Sequence, residues 1–132
     1  MATLTKYLAV AAGGALGAML RYYLGGSPLA HVAAPFPTTT FVINVTGSFL
    51  LGLFLTLVAE RLTFVGPHLR LAFAVGFVGA YTTFSTFEYE TALLFEGRRF
   101  GLALVYVVLS CAAGFGAVWL GIWLARGVAR AR

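Results

Sequence analysis

Gly79-Ala80-Tyr81-Thr82-Thr83-Phe84-Ser85-Thr86-Phe87 is the stretch that decides how this chain is read. It lies near the middle of an apolar stretch running from about Leu71 to Phe95. Roughly 20 mostly apolar residues cross a bilayer, so that stretch is long enough to span one. Four hydroxyl residues, Thr82, Thr83, Ser85 and Thr86, fall within five positions, just after a glycine and among aromatic rings. They are poor material for a lipid-facing helix. The run predicts a break, because unwound backbone survives at membrane depth only where protein or water satisfies it. The alternative is a kink with the hydroxyls bonded back to the preceding turn. A broken helix exposes carbonyl oxygens that suit a hard cation and N–H groups that attract an anion.

Three more apolar stretches lie outside this one, from about Leu4 to Leu24, Thr38 to Ala59 and Phe100 to Leu124. The composition agrees: of 132 residues, 61% are hydrophobic and 10% charged, against about 25% charged in a soluble domain. Mean hydropathy is +0.93. A chain this small cannot hide that much apolar surface in water. A soluble enzyme, a disordered chain and a nucleic-acid-binding domain are excluded, and nucleic acid is not an expected partner. The expectation is an all-α, multi-pass membrane protein, residues 1–132 forming a single four-helix transmembrane domain in the lipid bilayer of the cell (inner or plasma) membrane. The connections are short and carry the breakers Gly25-Gly26, Pro28, Pro35, Pro37 and Gly66-Pro67.

Nine basic residues outnumber four acidic ones. With the N-terminus inside, Lys6, Arg61, Arg70, Arg126, Arg130 and Arg132 lie inside, against Arg21, Arg98 and Arg99 outside, a modest positive-inside bias. Arg126, Arg130 and Arg132 read as headgroup anchors in a loose C-terminal tail. Lone Cys111 supports no disulfide within the chain. Small residues recur at close-packing spacing: Gly13/Gly17, Gly14/Ala18, Ser48/Gly52 and Ser110/Gly114. Such pairs let helices approach closely, within a subunit or between subunits. Four helices leave little room for a private aqueous path, which favours an oligomer.

Asn44 stands alone in the second stretch, and an amide in hydrocarbon requires a partner. It either bonds another helix or presents N–H donors to an anion. Thr38, Thr39 and Thr40 sit at the mouth of that helix, where they cap it or offer hydroxyls to a passing ion, with Thr38 favoured as the cap. Phe84 and Phe87 are three apart and share a face. They are packing, or their positive ring edges meet an anion. Tyr106 and Ser110 also share a face, each with a hydroxyl donor. Arg21 either snorkels to the headgroups or makes a vestibule electropositive. At least one of Glu88 and Glu90 faces water or pairs with an arginine. No paired carboxylates, His/Cys cluster or Ser-His-Asp arrangement is present in the sequence, so no enzyme is expected.

These residues resemble the CrcB/Fluc fluoride channel family. Three motifs carry the resemblance. The first is Gly13-Gly14-x-x-Gly17-Ala18-x-x-Arg21-Tyr22, and the second is Asn44-x-x-Gly47-Ser48-Phe49-x-x-Gly52. The third, Thr82-Thr83-Phe84-Ser85-Thr86-Phe87, matches the specific TTFSTF signature. One departure is Ala80, where the family usually has a second glycine.

The resemblance implies a passive fluoride-selective channel that exports fluoride from the cytoplasm and so lowers its toxicity. It implies an antiparallel, dual-topology homodimer with two pores and a central structural sodium ion. The sodium would be held by the backbone carbonyls of Gly79 and Thr82. Asn44, Phe84, Phe87 and Ser110 match fluoride-coordinating positions, with Tyr106 and Thr40 near the same path. Arg21 and Glu90 match vestibule positions. Fluoride is small and tightly hydrated, so amide, hydroxyl and ring-edge donors replace its water without a fixed charge that would trap it. The competing reading is a small four-helix multidrug transporter. It needs a glutamate in the first helix, and this first helix has no acidic residue.

Overall fold

The computed structural model describes residues 2–62 and 64–130, and among these every regular element is helical. Helix α1 is Ala2–Gly25. A short 3₁₀ turn, Pro28–His31, follows. Helix α2 is Thr38–Glu60. Helix α3 covers 67–81: Pro67–Arg70 in α geometry, Leu71–Val78 in wide π turns, and Gly79–Tyr81 again α. Helix α4 is Phe84–Glu96 and α5 is Phe100–Arg130.

The expected break is present between α3 and α4. Thr82 has φ −76° and ψ 158°, and Thr83 φ −151° and ψ 113°, both extended. Among the described residues, three helical segments are long and apolar enough to cross a membrane: Thr3–Gly25, Thr38–Glu60 and Phe100–Gly127. The third apolar stretch is divided by its break, so none of its pieces qualifies by itself.

Several boundaries differ from the expectation. The third stretch begins at Pro67 rather than Leu71, because proline is pre-set for the first helical position and lacks only an N–H that has no partner there. Helix α5 continues past Leu124 to Arg130. Arg126 is therefore not in a loose tail: its Nε meets Glu60 Oε1 at 3.0 Å, joining the ends of α5 and α2. The side chain of Arg130 and all of Arg132 lie outside the described residues. Thr38 does not cap α2. Pro37 holds that position without a side-chain bond, and the Thr38 hydroxyl donates to the Phe36 carbonyl at 3.3 Å.

Helix α1 packs along α3, and α2 along α5. Both contacts depend on missing side chains. A Cβ on Gly13 would run into the Ala72 carbonyl, and one on Gly17 into the Phe77 carbonyl. In the other pair, Gly52 lies against the Val118 carbonyl and Gly121 against that of Phe49. These small residues thus pack helices within one chain. Gly17→Ala is expected to cost about 1–3 kcal/mol through overpacking, read as a lower melting temperature in detergent. An unchanged melting temperature would show that α1 slides freely on α3.

Candidate functional site

The break is organised by one side chain. The Asn44 amide donates from Nδ2 to the Thr83 carbonyl at 3.1 Å and accepts the Thr83 N–H on Oδ1 at 2.8 Å. Its Oδ1 replaces the Gly79 carbonyl that the N–H of an extended Thr83 has lost. Of the two readings of Asn44, the helix-to-helix bond is present, and its second Nδ2 hydrogen is not used by that pair. Thr83 also caps α4, its Oγ1 accepting the Thr86 N–H at 3.3 Å.

These diversions free two carbonyls. In a continuous helix the Thr83 N–H would bond Gly79 and the Thr86 N–H would bond Thr82. Here the first goes to Asn44 and the second to the Thr83 hydroxyl. The donor set this leaves, two backbone oxygens, fits a hard monovalent cation. Gly79 is also exposed on the single chain.

Two cavities flank the break. The wider one, about 940 Å³, is lined among others by Arg21, Thr38, Thr39, Thr40, Thr83 and Glu90. The narrower one, about 300 Å³, is lined by Asn44, Ser48, Thr82, Phe84, Phe87 and Ser110, with Cys111 at its edge. Thr83 borders both. The Ser110 hydroxyl in the narrow cavity and the Thr39 hydroxyl in the wide one are buried without a protein partner. A buried hydroxyl without a partner is costly, so each is a ready donor for a small ligand. The rings of Phe84 and Phe87 lie 5.9 Å apart and tilted by 35°.

Glu90 joins the wide cavity to the core. Its Oε1 accepts from the Thr40 hydroxyl and its Oε2 from Tyr106, each at 2.8 Å. Glu90 therefore pairs with hydroxyls, while among the described residues the ion pair is Arg126 with Glu60. Tyr106 is 0% exposed. Its ring packs edge-on against Phe36 at 5.3 Å and, tilted, against Phe87 at 5.0 Å. Tyr106→Phe keeps these ring contacts but leaves Glu90 Oε2 without its donor. A loss of about 1–3 kcal/mol is expected, measured by thermal unfolding in detergent. No loss would mean that water replaces the tyrosine hydroxyl there.

The sequence model of the family described as CrcB-like protein, Camphor Resistance (CrcB), matches residues 8–122. The chain belongs to the CrcB family. It is similar to proteins named fluoride-specific ion channel FluC in several bacteria. In Solibacter usitatus the identity is 47% over 121 residues, 92% of this chain and 98% of the relative. In Acidobacterium capsulatum it is 50% over 117 residues, 89% and 93%. In Thermus thermophilus it is 44% over 120 residues, 91% and 89%.

Within this CrcB fold, the expected site residues fall into two groups. Asn44, Phe84, Phe87 and Ser110 share the narrow cavity. Arg21, Thr40 and Glu90 share the wide one. Tyr106 is held behind Phe87, its hydroxyl proton directed to Glu90. Sequence reasoning missed Thr83, which borders both cavities and closes the Asn44 pair. Its signal was a threonine at the start of a resuming helix with another hydroxyl three residues on. The Thr39 hydroxyl was expected at the helix mouth, and the packing around α2 adds that it is buried without a protein partner.

Proposed function

We propose that this protein is a fluoride-selective channel that lets fluoride leave the cytoplasm passively. The observation that carries this reading is the narrow cavity at the break. It is lined by Asn44, Phe84, Phe87 and the unpartnered Ser110 hydroxyl, and amide, hydroxyl and ring edge are all donors without a full charge. Such donors compensate a small anion for its lost water and still let it go. Fluoride accumulates because hydrofluoric acid enters neutral and dissociates inside, so a passive path down the electrical gradient suffices. The function is that of a channel and not of an enzyme.

In this reading α3 and α4 together make the third of four spans, and two chains assemble as an antiparallel, dual-topology homodimer with two pores. The large apolar side chains left exposed on a single chain support assembly, Phe84 among them at 70% exposure. Sodium at the dimer centre is held by the Gly79 and Thr82 carbonyls of each chain, whose helical donors are turned elsewhere. When bound, it supplies a fixed positive charge between the two breaks. The deciding measurement is fluoride efflux from liposomes containing the purified protein, with chloride as control. Selective fluoride efflux is expected. Equal fluoride and chloride efflux, or none of either, would reject the channel. A monodisperse monomer that still conducts would reject the dimer.

A further inference from the structure

Arg21 reaches across 59 positions to the break, where its Nε donates to the Ala80 carbonyl at 3.0 Å. In an unbroken helix that carbonyl would accept the Phe84 N–H four residues on. The extended Thr82 and Thr83 carry Phe84 away to begin α4. A helix end that loses its partner requires another donor. The reach is set by α1 itself. Gly13, Gly17 and Arg21 are spaced by four and share one face. The two glycines seat the α1 backbone on the carbonyls of Ala72 and Phe77. Arg21 then falls at the next turn of α3, beside Ala80. No carboxylate is ion-paired with it among the described residues, and its Nε bonds the break instead.

We propose that Arg21 is a positioning residue: by holding the Ala80 carbonyl it fixes the end of α3 and so aims the neighbouring Gly79 and Thr82 carbonyls at a shared cation. This rests on the sodium reading above. It assigns Arg21 a task separate from making the wide cavity electropositive.

Two substitutions separate hydrogen bond from charge. Arg21→Gln keeps an N–H donor at the same bond count from Cα as Nε but removes the charge. Arg21→Met puts a methyl group there. The readout is the apparent sodium dissociation constant fitted to the logarithmic rise in melting temperature in detergent, with choline replacing sodium at constant ionic strength. Arg21→Gln is expected within about twofold of the parent, and Arg21→Met about tenfold higher, the scale of one charge-assisted hydrogen bond. Equal shifts in both variants would assign Arg21 to charge and overturn the proposal, as would no shift in either. The Gln result stands alone if the Met variant does not fold: a tenfold rise there refutes positioning. A parent whose melting temperature ignores sodium would overturn the sodium reading, and this proposal with it.

Discussion

Asn44→Asp is expected to lower fluoride flux at neutral pH by at least about a hundredfold, while the protein still elutes as the parent does. The change is almost isosteric, so packing around α2 is kept. One carboxylate oxygen still accepts the Thr83 N–H, as Oδ1 does at 2.8 Å. The other is placed where Nδ2 now donates to the Thr83 carbonyl at 3.1 Å, so two oxygens face each other without a proton between them. The donors lining the narrow cavity also lose the amide and gain a negative charge, which repels an incoming anion. Both effects act in the same direction. Liposome efflux measured with a fluoride electrode gives the answer, and undiminished flux would remove Asn44 from the path.

Phe84→Ile and Phe87→Ile are each expected to reduce flux about tenfold or more, by removing the positive ring edge while keeping much of the bulk. The two differ in their collateral effect. Phe84 is 70% exposed on the single chain, so isoleucine there costs this chain little packing. Phe87 lies 5.0 Å from the Tyr106 ring, so isoleucine there also loosens the packing behind it. A stable Phe84→Ile protein with low flux is thus the cleaner evidence for ring-edge coordination. If both variants conduct like the parent, the rings are ordinary packing.

The break was legible because Thr82, Thr83, Ser85 and Thr86 are chemically wrong for lipid, and that local signal needs no tertiary information. The grouping of Asn44, Phe84, Phe87 and Ser110 followed from the family resemblance and not from spacing, since 66 positions separate the first from the last. The target of Arg21 was hidden for the same reason. A cation near a helix end reads as a headgroup anchor until the packing of Gly13 and Gly17 puts it beside Ala80. Arg126 was misread because the apolar pattern fades after Leu124. A helix continues through polar residues where a partner on another helix, here Glu60, receives them. The π turns over Leu71–Val78 left no mark, because apolar residues fill them as they fill any spanning helix.

Helix α5 has a consequence for the surrounding lipid. The segment that can cross a membrane, Phe100–Gly127, holds 28 residues with Arg126 near its end, which at about 1.5 Å each gives roughly 42 Å. The hydrocarbon layer is about 30 Å thick. The mismatch is relieved by tilting the helix or by thickening the bilayer around it. Because α5 carries Ser110 in the wall of the narrow cavity and is tied to α2 through Arg126 and Glu60, a change in tilt is expected to shift that wall. The thickness of the host membrane is thereby expected to act as a mechanical load on the site.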